Sequence, residues 1–225
     1  DLLRQIKASV KKAGIHFDSW FSEYRELRQK DTLPKILKLL KSRGMTEDRD
    51  GAVWLKTTES SEDDKDRVLV KTSGEPTYFL PDIAYHFNKF VTRKFDRGIN
   101  ILGADHHGYV ARLKAGVQAV GVDPARLDVI VMQMVRLVRG GEEVRMSKRK
   151  GEFVTLDELL NEVGVDAARF FFLMHAPNTH MDFDLDLAKE RSMKNPVYYL
   201  QYAYVRCRSI LQNSKSQTLN PKQIQ

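Results

Sequence analysis

A cluster of positive charge over residues 144–151 is the segment of this chain best suited to chemistry. Lys148, with Arg145 and Arg149 beside it, stands next to the small hydroxyl side chain of Ser147. Adjacent cations cannot be buried without partners, but they can hold a polyphosphate, since lysine is a mobile point charge and arginine offers forked donors. The pattern alone leaves two interpretations, a solvated basic turn and a phosphate-binding loop.

A second candidate is Asp105, which lies between Gly103 and Gly108 directly after a predicted strand. Its carboxylate is placed to bond the hydroxyls of a ribose, because glycines let a ligand approach the backbone closely. An aspartate that caps the following helix is the alternative. His106 and His107 suggest a metal site, but adjacent side chains in one turn rarely converge on one ion. No acidic or thiol partner stands at ligand spacing in the sequence, so we expect no protein-bound metal.

A third candidate pairs an aromatic hydroxyl with a carboxylate. Tyr78 and Asp82 are four positions apart, so they lie on one side of a helix predicted to begin near Pro81. Such a pair suits a cationic substrate, because Asp82 supplies charge and Tyr78 supplies a hydrogen bond and a flat surface. The alternative is that Asp82 only stabilises the N-terminus of its helix.

Hydrophobic periodicity predicts the elements that position these residues. An apolar strand over residues 99–102 precedes the Gly103 loop, and a helix then leads to a second apolar strand over residues 127–132. This order is typical of a right-handed parallel crossover, in which ligands lie beyond the carboxyl ends of the strands. We expect the Gly103 loop at that edge, and also the Met146 loop, which follows a hairpin turning at Gly140-Gly141.

The other predicted elements flank this unit, and an α/β fold with a parallel sheet is expected. Helices are predicted over residues 2–10, 33–40, 81–95, 155–163, 166–174 and 196–211, and strands over 15–20, 53–55 and 68–70. Asp166 is expected to cap the helix that it begins, and Thr155 and Glu158 to form a capping box. The acidic stretch 59–66 is predicted to be a loop, because it has too little apolar content to pack.

Composition narrows the class of protein. Of the 225 residues 42% are hydrophobic and 30% are charged, which is typical of a globular protein, and the formal net charge of +7 favours polyanionic partners such as nucleotides or RNA. No apolar run approaches the length of a membrane span, and no secretory signal opens the chain. Cys207 is the only cysteine, which excludes an internal disulfide and favours the cytoplasm.

Taken together, the motifs resemble one family, the arginyl-tRNA synthetases, which are class I aminoacyl-tRNA synthetases. The likeness extends from about Phe17 to Leu211, and the combination of segments is specific, whereas the Met-Ser-Lys block alone indicates only class I. The matching segments are Phe17-Asp18, Ser22-Glu23, Gly51-Ala52-Val53-Trp54, Asp64-Lys65-Asp66-Arg67-Val68-Leu69, Thr77-Tyr78-Phe79, Asp82-Ile83-Ala84-Tyr85-His86, Gly103-Ala104-Asp105-His106-His107-Gly108-Tyr109, Met146-Ser147-Lys148-Arg149, Val163-Gly164-Val165-Asp166 with Arg169, Asn195-Pro196-Val197-Tyr198-Tyr199 and Gln201-Tyr202-Ala203.

The resemblance implies a ligase that activates arginine with ATP, as its Mg²⁺ complex, and passes the arginyl group to tRNA(Arg). Lys148 matches the second lysine of the family's Lys-Met-Ser-Lys loop, and Arg145 replaces the first, so both are implied catalytic residues. The implied ATP-binding residues are Gly103, Asp105, Val144, Met146, Ser147 and Lys148, and the implied arginine-binding residues are Glu23, Tyr78, Asp82 and His106. His106 falls where relatives often have glutamine.

One departure from the family pattern shapes the expected domains. The His-Ile-Gly-His-like segment that binds ATP phosphates on the opposite side occurs nowhere here. We therefore expect a central-to-late piece of a synthetase, nearly inactive alone. Residues 1–175 would be the later, Rossmann-like part of the catalytic domain, with an inserted hairpin around 51–72. Residues 176–225 would be a connecting segment and the start of a helical anticodon-binding domain. A monomer is expected.

Two other functions remain compatible with the sequence. A nonenzymatic tRNA- or RNA-binding module would explain the basic charge and the aromatic helix over residues 197–211, although aromatic helices are more often part of a core. A class I synthetase for another amino acid would share the Met-Ser-Lys block.

Overall fold

The computed structural model of the chain describes residues 1–58, 65–144 and 154–217. The helices are α1 Leu2–Lys12, α2 Thr32–Ser42, α3 Phe79–Phe87, α4 Tyr109–Ala119, α5 Leu156–Val163, α6 Val165–Leu173, α7 Leu185–Lys189 and α8 Pro196–Gln217. The strands are β1 Thr46–Arg49, β2 Ala52–Leu55, β3 Arg67–Val70, β4 Gly98–Gly103, β5 Leu127–Met132, β6 Val135–Arg139, β7 Glu142–Glu143 and β8 Met181–Asp184. The chain divides into two units, Asp18–Gln133 and the remainder, which combines Asp1–Phe17 with the chain from Met134 onward.

The parallel strand–helix–strand unit predicted from the sequence is confirmed. Strands β4 and β5 pair in parallel from Gly98 opposite Leu127 to Gly103 opposite Met132, so both strands end at the same edge. The helix between them, α4, buries Leu113 and Val117. This arrangement places the Gly103 loop at the carboxyl edge of the strand pair, as the sequence predicts.

Helix α3 packs closely on α4. A Cβ atom added to Gly116 of α4 would lie 2.7 Å from Ile83 Cγ1 and 3.0 Å from Phe79 Cε2, so the glycine permits the close approach of the two helices. The prediction of one helix over residues 81–95 is wrong in its bounds. Helix α3 begins at Phe79, since Pro81 is tolerated in a first turn whose N–H groups lack partners, and a π-helical turn, Asn88–Thr92, follows.

A small antiparallel sheet completes the first unit. The predicted pairing of residues 53–55 with 68–70 is confirmed, and β1 adds a third strand beyond β2 that the sequence did not predict. Asp66 closes the base of the acidic loop, because its Oδ1 accepts from the backbone N–H of Thr57 at 3.1 Å and the hydroxyl of Thr58 at 3.0 Å. Residues 59–64 of that predicted loop lie outside the described residues.

The second unit contains a separate sheet in the order β7-β6-β8. The predicted hairpin with its turn at Gly140-Gly141 is confirmed, since β6 and β7 pair antiparallel. The expectation that the Met146 loop lies at the edge where β4 ends falls on residues outside the described ones and stays a prediction. Strand β6 also pairs in parallel with β8, Val135 opposite Met181 through Val138 opposite Asp184, and β4 and β5 form a sheet of their own.

The helices of the second unit mostly follow the sequence prediction. The capping box holds, because the backbone N–H of Thr155 donates to Glu158 Oε2 at 2.7 Å and the Glu158 N–H donates to Thr155 Oγ1 at 3.1 Å. The expected cap at Asp166 is wrong. Gly164, with φ +83°, stands before α6 in that position, and Asp166 instead accepts a hydrogen bond of 3.2 Å from Gln201 Nε2.

The sequence also predicts a strand near the start of the chain and a helix near its end. The strand predicted over residues 15–20 is wrong, because the described structure gives this segment no strand conformation and its apolar side chains, including Phe17 at 55%, stay exposed. Helix α8 is confirmed and extends past its predicted end at Leu211. None of the helices in the described ranges combines the length and apolar character that crossing a membrane requires. The boundary between residues 175 and 176 stays a prediction.

Candidate active site

Asp82 occupies the first turn of α3, where it is half-buried. The hydroxyl of Tyr109, at the start of α4, donates a hydrogen bond to Asp82 Oδ2. This contact joins the two helices that pack together at Gly116. The predicted cation-binding carboxylate is therefore held by tertiary packing as well as by its own helix.

Burial raises the pKa of the Asp82 carboxyl above its ordinary value of 3.8. The Tyr109 hydroxyl opposes this effect, because a donor to the charged form stabilises it and lowers the pKa. The negative charge of Glu23 raises the pKa of Asp82, which indicates that the two carboxylates act on one region. Burial and the Asp82 contact also raise the pKa of the Tyr109 hydroxyl, so it remains a neutral donor.

A polar network that the sequence analysis missed supports the backbone of Asp82. His86, which is 3% exposed, has its Nδ1 atom 2.7 Å from the carbonyl oxygen of Asp82. Its Nε2 atom lies 2.8 Å from Asn100 Nδ2, and Lys89 Nζ donates to Asn100 Oδ1 at 2.9 Å. Burial lowers the pKa values of both His86 and Lys89. The network links α3 to strand β4.

Tyr78 stands directly before α3 and is 87% exposed. Its carbonyl oxygen accepts from the backbone N–H of Asp82 at 3.3 Å, which is a bond of the helical turn. The described contacts show no hydrogen bond between the two side chains. The structure thus places the tyrosine one turn before the carboxylate and leaves its ring open to a ligand.

Glu23 directly precedes a π-helical turn, Tyr24–Arg28. Arg28 Nε donates to Glu23 Oε1 at 3.0 Å, and Arg28 Nη2 lies 2.9 Å from the same oxygen in an ion pair. Half of the Glu23 side chain is exposed. This carboxylate therefore already has a guanidinium partner within the protein.

The Gly103 loop continues from strand β4 into a 3₁₀ turn, Ala104–His106. The Asp105 side chain is 81% exposed, and its Oδ2 atom lies 3.6 Å from His106 Nε2. The His106 ring meets the Tyr109 ring edge-on, with 6.4 Å between their centroids. His106 is thus in contact with the residue that binds Asp82.

Gly103 lies close to the side chain of Asp105. A Cβ atom at this position would lie 2.7 Å from Asp105 Oδ1, the end of a side chain that is 81% exposed and can turn away. The expected approach of a nucleotide to the backbone remains a prediction.

The other predicted ATP-binding residues follow β7. The backbone N–H of Val144 donates to the Leu137 carbonyl at 2.9 Å, which continues the hairpin pairing. The remaining predicted residues, Arg145, Met146, Ser147 and Lys148, lie outside the described residues. In the parts of the chain that the structure describes, no group of three or more histidine, cysteine or acidic side chains could hold a metal ion.

The chain is similar to known proteins over most of its length. The family described as "tRNA synthetases class I (R), catalytic domain" matches residues 2–181. Among curated proteins, the arginine–tRNA ligase of Carboxydothermus hydrogenoformans is 54% identical over 97% of this chain and 39% of its own length. That of Staphylococcus carnosus is 50% identical over 98% of this chain and 40% of its own length. The chain therefore spans about two fifths of these relatives.

Solved structures agree with this match. An arginyl-tRNA synthetase structure from Campylobacter jejuni is 36% identical, with a TM-score of 0.86 over 95% of this chain and 46% of its own. The Thermus thermophilus arginyl-tRNA synthetase, 20% identical, shares the fold, with a TM-score of 0.78 over 95% of this chain and 45% of its own. The family match over residues 2–181 shows that the chain belongs to the class I arginyl-tRNA synthetases.

Proposed function

We propose that the intact protein is an arginine–tRNA ligase, which activates arginine with ATP and transfers the arginyl group to tRNA(Arg). The observation that carries this proposal is the half-buried Asp82, held by the neutral Tyr109 hydroxyl within electrostatic reach of Glu23. Two carboxylates suit a guanidinium, which has N–H donors on more than one edge. The reaction belongs in the cytoplasm, where translation takes place, and we propose that the protein acts as a monomer.

Amino acid selection follows from these charges. Neutral amino acids leave Asp82 without a cationic partner, and a half-buried charge without a partner is costly. Lysine brings a point charge that lacks the flat fork of a guanidinium, so it cannot form the same paired hydrogen bonds. Tyr78 would supply a flat surface for the substrate, and His106 would contact it from the Gly103 loop.

We propose that the nucleotide binds at the edge where β4 ends. We propose that Asp105 binds the ribose hydroxyls and that the backbone around Gly103 admits the nucleotide. Backbone groups near Val144 and Met146 would hold the adenine, and Ser147 would contact the nucleotide beside them. Lys148 would stabilise the departing pyrophosphate with Arg145 beside it, while Mg²⁺ arrives with the ATP.

The proposed reaction asks little covalent chemistry of the protein. An oxygen of the arginine carboxylate attacks the α-phosphorus of ATP, and the bond to the bridging oxygen breaks to release pyrophosphate. A hydroxyl of the terminal tRNA ribose then attacks the arginyl carbonyl carbon, loses its proton and releases AMP. The rate comes from alignment and from positive charge near the phosphates.

The proposal is tested on the intact protein, with tRNA present, by amino-acid-dependent exchange of labelled pyrophosphate into ATP and by charging of that tRNA. Arginine should support exchange, whereas lysine, glutamine and cysteine should not. Exchange with one of these instead would assign a class I synthetase for another amino acid. Tight tRNA binding that ignores ATP and arginine, without exchange, would favour a nonenzymatic RNA-binding module.

The basic loop is tested by Lys148→Ala in the same intact protein. Adenylate formation should fall far more than arginine binding, because the lysine acts on the leaving pyrophosphate and not on the amino acid. Lys71→Ala removes an exposed lysine elsewhere and should leave both properties unchanged. Equal losses in adenylate formation and arginine binding would indicate that Lys148 is structural.

A further inference from the structure

Tyr109 is held in place by the packing of α3 against α4. Its ring meets that of Phe79 edge-on, with 6.2 Å between the centroids and an interplanar angle of 74°. Phe79 is 5% exposed, and Gly116 keeps the two helices close. The phenol hydroxyl therefore occupies a fixed position that does not depend on a bound substrate.

The contact from Tyr109 uses only one side of the Asp82 carboxylate. A phenol has a single O–H donor, and it is directed at Oδ2. Among the described residues, no donor contacts Asp82 Oδ1. Because the donor is neutral, it orients the carboxylate without cancelling its charge. Glu23 differs, since its Oε1 atom pairs with the cationic Arg28.

The backbone of Asp82 is fixed from its other side. Lys89 has only donors, so it must donate to Asn100 Oδ1, which turns the Asn100 amide nitrogen towards His86. His86 Nε2 then accepts from that amide, and Nδ1 carries the proton that is donated to the Asp82 carbonyl. Both the main chain and one side-chain oxygen of Asp82 are thus held before a substrate arrives.

We propose that Tyr109 is a positioning residue for amino acid selection, whose hydroxyl holds Asp82 Oδ2 and so presents Oδ1 to the substrate guanidinium. This inference rests on the proposed arginine activation. A carboxylate fixed at one oxygen accepts a guanidinium N–H in one geometry. A carboxylate free to turn accepts an ammonium equally well, so the loss of the hydroxyl should narrow the preference for arginine over lysine.

The test compares Tyr109→Phe with Tyr85→Phe in the intact protein. Each removes one hydroxyl from a partly buried tyrosine, but the Tyr85 hydroxyl makes no described bond to Asp82. A lost hydrogen bond to a charged group predicts a KM for arginine about tenfold higher in Tyr109→Phe, with kcat and the KM for ATP near wild type. Tyr85→Phe should match the wild type.

A pH profile separates positioning from packing. The groups that act on the pKa of Asp82 are Glu23, His86, Lys89 and the hydroxyl of Tyr109. Tyr109→Phe removes only the hydroxyl. The hydroxyl lowers the pKa of Asp82, so its loss should raise that pKa. The pH below which arginine binding weakens should therefore be higher in Tyr109→Phe than in the wild type. It should be unchanged in Tyr85→Phe.

The outcomes distinguish the inference from the proposed function. If the wild type shows no arginine-dependent exchange, the proposed function fails. If it does, but Tyr109→Phe keeps the KM and pH profile of the wild type, only the positioning role fails. Parallel loss of kcat, arginine binding and ATP binding would also overturn it, since that is the result of general damage.

A second pair of variants applies if Tyr109→Phe does not fold. Tyr109→His keeps a ring N–H donor, so it must retain more of the preference for arginine over lysine than Tyr109→Leu does. Equal preferences in these two variants would overturn the positioning role.

Discussion

The two carboxylates proposed to bind arginine, Asp82 and Glu23, differ in how their surroundings treat their charge. Asp82 is half-buried, and its described side-chain donor is the neutral Tyr109 hydroxyl. Glu23 is half-exposed, and Arg28 pairs with it through two nitrogen atoms. The first carboxylate keeps its charge for a ligand, whereas the charge of the second is already balanced within the protein.

This difference predicts an unequal division of binding energy. Interactions of a half-buried charge are strong, because little water screens them. Interactions of an exposed, internally paired charge are weak and fall further with added salt. We therefore expect Asp82 to supply most of the affinity for arginine and Glu23 to adjust it.

The largest effect is expected from Asp82→Asn, which removes the charge and keeps the shape. Loss of a desolvated charge partner costs about 2–5 kcal/mol, so arginine affinity should fall at least about 30-fold. Calorimetry of arginine binding to the intact protein measures this change. Glu75→Gln, at an exposed position in the same unit, is the control and should bind normally. An unchanged affinity in Asp82→Asn would discredit the proposed pocket.

Gly116→Ala disturbs the helix packing that supports Asp82 and not the surroundings of Glu23. The new Cβ atom would lie 2.7 Å from Ile83 Cγ1, and overpacking of this kind costs about 1–3 kcal/mol of unfolding free energy. Arginine affinity should fall as well, because the α3–α4 contact brings Tyr109 to Asp82. Denaturant unfolding and arginine titration are the two measurements. Gly108→Ala, where the added methyl meets no atom within 4 Å, is the control; equal destabilisation there would refute the packing argument.

Acid should weaken arginine binding through Asp82. Burial holds the pKa of this carboxyl above 3.8, and only its charged form attracts a guanidinium. As the pH falls through that raised pKa, the carboxylate takes up a proton and affinity decreases, by about tenfold per pH unit below the pKa. Titrations from neutral pH downward, with Asp82→Asn as reference, measure the effect. A profile equally steep in the reference would assign the loss to another group.

A smaller effect is expected from Glu23→Gln. The energies of exposed ion pairs are about 0.2–1 kcal/mol, so affinity for arginine should fall no more than about fivefold. The loss should shrink at high ionic strength, which the same titration in added salt would measure. A salt-independent loss as large as that of Asp82→Asn would reverse the ranking of the two carboxylates.

The smallest effect is expected from Arg28→Gln, and its sign is opposite. Removing the internal guanidinium frees Glu23 Oε1, so arginine should bind up to about twofold more tightly at low salt. The gain should disappear in the double variant with Glu23→Gln. Weaker binding in Arg28→Gln would show that Arg28 helps to hold the substrate.

Local patterns predict much of this fold but not its polar contacts. The apolar runs at residues 99–102 and 127–132 and the helix between them predict the parallel pair, because each is a complete local signal. Residues 15–20 also carry apolar side chains that predict a strand, yet they form no strand in the described structure. Pairing decides the outcome, and a short run does not contain that information.

The candidate site was predictable in its residue types and not in its support. Asp82 follows from its place after Tyr78 and from the family resemblance. Its contact with Tyr109 spans 27 positions, and that of His86 with Asn100 spans 14, so no helical or strand spacing reveals them. These contacts depend on which faces of α3, α4 and β4 meet, which tertiary packing alone determines.

Strand β4 has a consequence for both proposed subsites. Asn100, near its middle, supports His86 and through it the backbone of Asp82, while Gly103, three residues later, ends the strand beside Asp105. At about 3.3 Å per residue the two points are about 10 Å apart on one extended segment. A single stretch of backbone thus sets the spacing between the proposed amino acid and nucleotide subsites. A slip of one residue in its pairing with β5 would shift both proposed subsites at once.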